Sequence, residues 1–168
     1  MLYSHVSVDC VLLGVKDDTL CVLLVERKID ESDEKHYKLP GSLIFENEDL
    51  DTAAYRVFHE ATGLKRVPLK QFRSFGSPSR TKNKDDMQWL ENAMKLKIER
   101  IVTVAYLALT KIGRKSNPTN KYNSLAWFPI DALPALPFDH KEIIEAAVEE
   151  IRNWIEKEPS IVFDYLPM

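Results

Sequence analysis

The residues best suited to chemistry lie in one stretch of the sequence, KLPGSLIFENEDLDTAAYRVFHEATGL. Glu48 lies in a loop, and Arg56 and Glu60 follow on a predicted helix, where residues four apart share a face. A loop followed by an acid-bearing helix is a plausible cradle for a divalent ion and a diphosphate, because Mg²⁺ binds oxygen ligands. Two apolar residues share the same helix face, Val57 and Ala61. The stretch therefore predicts a phosphate-binding site that is short of metal ligands.

This stretch resembles the Nudix box, G-x5-E-x7-R-E-U-x-E-E-x-G-U, in which U is a bulky aliphatic residue. The positions that match the box are Glu48, Arg56, Phe58, Glu60, Gly63 and Leu64, and Gly41 matches a glycine that commonly precedes it. Three positions depart from the box: Ser42 replaces its glycine, Val57 the glutamate after the arginine, and Ala61 the second paired glutamate. In active Nudix hydrolases the helix carboxylates coordinate Mg²⁺, which bridges a diphosphate and activates water.

The resemblance implies that efficient hydrolysis is not expected, since two of the three helix carboxylates are replaced, and that no cofactor is required. If the protein is active, Glu48 and Glu60 are the candidate catalytic residues, Glu60 is the remaining candidate metal ligand, and Mg²⁺ is the cofactor. Asp85 or Glu145 would then supply the missing acid. Two alternatives remain open for Glu48, Arg56 and Glu60: an ion-pair cluster that locks the helix to its loop, or polar contacts to a ligand.

Four further residues are candidate ligand contacts. Arg73 and Arg80 flank the loop SFGSPS, and arginine suits planar, bidentate recognition of phosphate or carboxylate. Surface solubility explains either arginine equally well. Asp139 and His140 open the last predicted helix, and the family resemblance implies a ligand role for them. The residues themselves favour a helix cap at Asp139, because an aspartate there accepts a backbone N–H.

The elements that position these residues follow from hydrophobic periodicity. Apolar, β-branched runs predict an opening hairpin across KDD, a short strand after Pro40, the central strand IVTVAYLALTKI and a strand at SLAWFPI. Two long helices are predicted, one ending at Gly63 and one beginning near His140. This order predicts an α+β or α/β sandwich, a mixed sheet with helices on its faces. The polar segment 82–99 is predicted to be an insertion that covers the site as a lid or dimer contact, with a short helix inside it.

The resemblance extends over nearly the whole chain. AWFPIDALPALPFDHKEII is similar to a segment of the Nudix-related transcriptional regulators of NAD metabolism and arabinose use. This resemblance implies a single Nudix domain over 1–168 with the α+β Nudix fold, a mixed sheet sandwiched between helices. It also implies a homodimer that senses a sugar or nucleotide-sugar, either an ADP-ribose-like molecule or a pentose. In that branch a C-terminal winged helix binds DNA, and this sequence reaches the similar IVFDYLPM without continuing into one.

Composition excludes several function classes. The net charge of −3 gives no overall basic footprint for nucleic acid. The sequence has neither an apolar run long enough to span a membrane nor the leader of a secreted protein, so no membrane partner and a cytoplasmic location are predicted. Cys10 and Cys21 lie in strand-like runs without metal-ligand spacing, which predicts buried free thiols.

Overall fold

The computed structural model describes residues 1–29, 34–113 and 124–160. Within them, seven strands form one mixed sheet. The strands are β1 (Leu2–Lys16), β2 (Thr19–Arg27), β3 (His36–Lys38), β4 (Gly41–Phe45), β5 (Lys70–Phe75), β6 (Val102–Lys111) and β7 (Leu125–Pro129). The α-helices are α1 (Leu50–Thr62), α2 (Lys84–Met94) and α3 (His140–Lys157), and a 3₁₀ turn covers Pro78–Thr81.

The sheet is organised around β1, the longest strand. β1 pairs in parallel with β6, and the order along the main path is β3-β2-β1-β6-β5. β4 pairs with β1 and β7 pairs with β2, both antiparallel. The predicted hairpin is confirmed: Asp17 and Asp18 connect β1 to β2 with φ of 48° and 62°. Two consecutive positive φ values are those of a type I′ turn, whose twist matches that of the flanking strands.

Helices cover both faces of the sheet, because successive strand residues point to opposite sides. On one face Cys10 packs with Phe58 of α1, and on the other Val11 packs with Ile144 of α3. The predicted α+β architecture, a mixed sheet sandwiched between helices, is therefore confirmed. Both cysteines are free and buried, as predicted.

The prediction for the segment after the charged loop was incomplete. Instead of one short strand, the structure has two, β3 and β4, which pair with different neighbours on either side of Pro40. Proline lacks the N–H that a continuous ladder needs, so the strand is interrupted there. The carbonyl of Pro40 instead accepts the N–H of Cys10 at 2.8 Å. The interruption places Lys38 opposite Val25 of β2 and Gly41 opposite Asp9, in the middle of β1.

The predicted insertion contains α2, which packs its apolar side on a small core of Leu43, Ile98 and Ile101. Met87, Leu90, Met94 and Leu96 contribute to this packing. The first turn of α2 is tied to β2, since Arg27 Nη1 donates to Asp86 Oδ1 at 2.8 Å. In the portions of the chain described by the structure, no helix combines the length and apolar character needed to cross a bilayer.

Candidate functional site

A clamp between Glu48 and Arg56 fixes the loop to α1. Arg56 Nε donates to Glu48 Oε2 at 3.0 Å, and Arg56 Nη2 donates to Glu48 Oε1 at 2.5 Å. Glu48 Oε1 also accepts the N–H of Phe45 at 2.8 Å. We call this arrangement the loop clamp. Its hydrogen bonds lower the pKa of Glu48, chiefly through Arg56, and keep the carboxylate charged.

The rest of the guanidinium of Arg56 is also engaged by protein groups. Its Nη2 donates to the carbonyl of Leu43 at 3.2 Å, and its Nη1 donates to Glu60 Oε2 at 3.4 Å. The guanidinium carbon lies 4.3 Å from the ring centre of Phe45. These contacts agree with the first of the two alternatives above, in which an ion-pair cluster locks the helix to its loop.

α1 is positioned by standard end signals. The side chain of Asp49 accepts the N–H of Thr52 at 2.8 Å as the N-cap, and Gly63 ends the helix with φ of 72°. This register turns Phe58 into the core and leaves Glu60 outside it. Val57 is buried on the side of α1 that borders a cavity.

That cavity, which we call the polar cavity, has a volume of about 350 Å³. Its lining includes two acids, Glu26 and Glu60, and three bases, Arg27, Lys28 and Lys38. Val57 and Ala61 complete the α1 side, where the box would have placed carboxylates. The acids and bases of this cavity make it suited to a polar or anionic ligand.

Mg²⁺, the ion implied by the fold family, does not fit the residues present. Mg²⁺ demands near-octahedral oxygen coordination, and in the described residues no three His, Cys, Asp or Glu side chains cluster closely enough for a metal ion. Glu60 is 64% exposed and interacts with Arg56, and ammonium groups share its cavity. The suggested substitute acids do not help: Asp85 and Glu145 are exposed, and neither lines the polar cavity.

A second cavity of about 220 Å³ adjoins the first beneath α2, and we call it the apolar cavity. Trp89, Leu90, Ala93 and Met94 of α2 line it, with Leu43 and Phe138. Its polar lining includes Ser7, Asp9, Lys38, Arg80 and His140. The two cavities share Lys38, Gly41, Ser42, Trp89 and Ala93. Together they reach the size of an ordinary small-molecule site.

Arg80 anchors a buried charge network at the edge of the apolar cavity. Its Nε and Nη2 donate to the two carboxylate oxygens of Asp139 at 3.0 and 3.1 Å, and its Nη1 donates to the carbonyl of Ile101 at 3.0 Å. Asp9 Oδ2 lies 3.9 Å from Arg80 Nη2 and accepts the hydroxyl of Thr103 at 2.6 Å. The arginine is therefore held by protein acceptors and is not a surface group.

The side-chain cap predicted at Asp139 is wrong. Asp139 occupies the N-cap position of α3, but its side chain makes no capping hydrogen bond. The carboxylate turns to Arg80 instead, because a buried guanidinium without a counter-charge would be far more costly than an uncapped helix N–H.

His140 is buried beside this network as a neutral ring. Its Nδ1 accepts the N–H of Leu39 at 3.2 Å, and its Nε2 lies 3.6 Å from Asp9 Oδ1. Burial lowers its pKa to about 4, which outweighs the opposing attraction of Asp9. His140 therefore links α3 to the residue that follows β3 and lies beside Asp9 of β1.

The structure separates the remaining candidates. Arg80, Asp139 and His140 come together around Asp9. Glu48, Arg56 and Glu60 form a second group, of which Glu60 lines the polar cavity while Glu48 and Arg56 line neither the polar nor the apolar cavity. Arg73 belongs to neither group: it is exposed on β5, with its guanidinium carbon 5.3 Å from the ring centre of Phe75. It lines neither the polar nor the apolar cavity.

Sequence reasoning missed three residues that line the cavities, Asp9, Lys38 and Trp89. A signal existed for Asp9, which is the only charged residue in the apolar run VSVDCVLLGV. A buried acid in such a strand must find partners, which indicates a site. Trp89 lies in a polar segment, where its Nε1 donates to the carbonyl of Lys28 at 2.8 Å.

Comparisons with known proteins agree with this geometry. The family model of the NUDIX domain matches residues 3–147. No curated protein sequence gives a significant match.

Among solved structures, the NUDIX domain of Shewanella oneidensis NrtR complexed with ADP ribose is 25% identical over 90% of each chain, with a TM-score of 0.62. NrtR from the same organism complexed with a 27mer DNA is 27% identical with a TM-score of 0.61. That match covers 88% of this chain and 62% of the NrtR chain. A bifunctional NMN adenylyltransferase/ADP ribose pyrophosphatase from Francisella tularensis shares the fold at 19% identity and a TM-score of 0.58, over 89% of this chain and 42% of the other.

Proposed function

Because this chain belongs to the NUDIX domain family, we propose that it is the ligand-sensing domain of a transcriptional regulator. It binds a sugar or nucleotide-sugar, an ADP-ribose-like molecule or a pentose, without hydrolysing it efficiently. The regulator acts as a homodimer and contacts DNA through a winged-helix domain. The NrtR structures with ADP ribose and with DNA support this assignment.

One observation supports the proposed loss of catalysis. α1 presents Val57 and Ala61 to the polar cavity, and Glu60 is the only acid of α1 in its lining. A hydrolase of this fold would need Mg²⁺ to polarise the diphosphate and activate water. With too few carboxylates to hold the ion, the ligand stays intact, while the two adjoining cavities remain available to bind it.

Sensing requires two conformations with different ligand affinities. α2 is the candidate moving part, because it roofs both cavities and contributes Trp89 to each. Its contacts with β2 and the residue after it include the Arg27–Asp86 ion pair, the Arg27 guanidinium 5.0 Å from the ring centre of Trp89, and the hydrogen bond from Trp89 to the carbonyl of Lys28. A ligand that packs against Trp89 would favour the closed position of α2.

The test combines product analysis with binding. The protein is incubated with ADP-ribose, other nucleoside-diphosphate sugars and Mg²⁺, and the products are separated by chromatography. Glu60→Gln is the active-site control and Glu145→Gln the matched control, since Glu145 is exposed outside both cavities. We expect intact substrates in every sample. Cleavage that is lost in Glu60→Gln and kept in Glu145→Gln would identify the protein as a Mg²⁺-dependent diphosphohydrolase instead.

Binding is measured as a shift in melting temperature with a panel of pentoses and nucleotide-sugars. A ligand at a hundred times its Kd stabilises the fold by about 2.7 kcal/mol, or roughly 5–10 °C for a domain of this size. Trp89→Ala should reduce that shift for the same ligand. A panel without any shift would refute the sensing role.

A further inference from the structure

We propose that Lys38, supported by Lys28, anchors the diphosphate of a nucleotide-sugar in the polar cavity without a divalent cation. The inference rests on the proposed function and names the ligand chemistry of that same site. In this arrangement the ammonium group of Lys38 supplies the positive charge that a metal ion would otherwise provide.

Lys38 occupies a central position in the site. It is the last residue of β3, just before the strand is interrupted at Pro40, and it lines both the polar and the apolar cavity. Its Nζ donates to the carbonyl of Leu39 at 3.1 Å and to the carbonyl of Gly41 at 3.2 Å. An ammonium has three N–H donors, so these two contacts fix the group and leave one donor for a ligand.

The lining of the polar cavity holds three bases, Arg27, Lys28 and Lys38, against two acids, Glu26 and Glu60, and this excess of bases leaves room for an anion. Among the other bases of the polar cavity, Arg27 is paired with Asp86 at 2.8 Å, while Lys28 is exposed at the rim. Asp9, whose charge acts on Lys38, accepts a hydrogen bond from Thr103 and lies near Arg80 and His140. Burial also lowers the pKa of Lys38, which means that its charge is incompletely solvated in the fold. A phosphate oxygen beside it would supply the missing stabilisation.

The shapes of the cavities favour a two-part ligand over a free sugar. The apolar cavity offers Trp89, Met94 and Phe138 to a flat or hydrophobic ring, and aromatic side chains favour such packing. The polar cavity offers ammonium groups to an anion. Lys38 and Trp89 line both, so a molecule with a ring at one end and phosphates next to it would contact them simultaneously.

The same cavity is unsuited to a metal–diphosphate complex. Val57 and Ala61 supply no oxygen ligands, and Lys28 and Lys38 would repel a divalent cation. For a hydrolase this combination would abolish the reaction, but for a sensor it gives affinity without turnover.

The test is titration calorimetry of ADP-ribose with the whole chain, in excess EDTA and then in excess Mg²⁺. We expect the same Kd in both conditions and a Kd that rises with added salt, as screening requires. Lys38→Met should weaken binding by about 10- to 100-fold, the value of a charge-assisted hydrogen bond. Lys141→Met is the matched control, because Lys141 is exposed on α3 and lines neither cavity.

The possible outcomes separate this inference from the proposed function. Binding that requires Mg²⁺ would overturn the metal-free anchor and leave the sensing role intact. Binding in EDTA that is equal for wild type and Lys38→Met would overturn the role of Lys38. Absence of any binding would refute both. If Lys38→Met does not fold, Lys28→Met provides the test, since that side chain is exposed; we expect a several-fold loss of affinity, and an unchanged Kd would refute the ammonium-based site.

Discussion

Replacement of Asp139 by asparagine distinguishes the ion pair from the helix cap. Asparagine caps helices about as well as aspartate, so a capping role predicts almost no change in stability. The structure predicts a large loss, because the substitution removes the charge that faces Arg80. The side chain of Arg80 is only 4% exposed, and its remaining acceptors are the carbonyl of Ile101 and, at 3.9 Å, the carboxylate of Asp9.

The expected magnitude follows from the burial of the pair. Removing one partner of a buried ion pair costs about 3–5 kcal/mol. Asp139 is 17% exposed, so some water reaches it, and we expect a loss near the lower end, about 3 kcal/mol. With an m value of about 2 kcal/mol/M, the urea midpoint would fall by about 1.5 M.

The assay is urea unfolding at neutral pH, followed by circular dichroism, with Asp131→Asn as the control at an exposed aspartate. A double variant with Arg80→Met should lose less than the sum of the two single variants, because the charges compensate each other. A loss of less than about 1 kcal/mol would refute the prediction and show that the ion pair between Asp139 and Arg80 contributes little to stability.

Three further changes test the frame of the site. Below pH 6.5 the unfolded chain protonates His140, whereas the folded chain does so only near the lowered pKa of about 4. The free energy of unfolding should therefore fall by up to about 3 kcal/mol as the pH is lowered from 6.5 to 4. His140→Gln should remove this pH dependence, measured by urea unfolding. Gly41→Ala should cost about 1–3 kcal/mol, because the new methyl group would overlap Asp9 Oδ1; Gly76→Ala, with its nearest contact at 3.4 Å, should be close to neutral by the same measurement. Glu48→Gln removes the negative charge of the loop clamp and should lower the free energy of unfolding by about 1–3 kcal/mol, measured by thermal unfolding. The affinity for ADP-ribose should be nearly unchanged. A loss of affinity without a loss of stability would show instead that the clamp contacts the ligand.

Elements held by local signals were predictable from sequence. The helix end at Gly63 follows from the left-handed conformation that glycine adopts readily, and the hairpin follows from two aspartates between apolar runs. The strand β3, which precedes Pro40 and is separate from the predicted strand β4, was not predictable in this way. It depends on which neighbours the two strands pair with, and those neighbours are distant in sequence.

The site was less predictable because its groups come from separate segments. Asp9, Arg80 and Asp139 meet only after β1, the 3₁₀ turn and α3 have packed together. Sequence proximity instead suggested the local solution for Asp139, a helix cap. The carboxylate of Asp139 could pair either with the first N–H groups of α3 or with the guanidinium of Arg80. It pairs with Arg80, because a buried unpaired charge costs more free energy than an uncapped helix.

The motif positions of α1 and its loop divide by physical role. Glu48 and Arg56, which this sequence keeps, hold the loop to the helix through hydrogen bonds that involve no ion. Val57 and Ala61, which stand where the motif has glutamates, face the polar cavity, where only a metal would have required carboxylates. The frame of the site therefore does not depend on metal binding. Carboxylates can be absent at these two positions while the cavity stays ordered, with Lys38 hydrogen-bonded to two carbonyls in its lining.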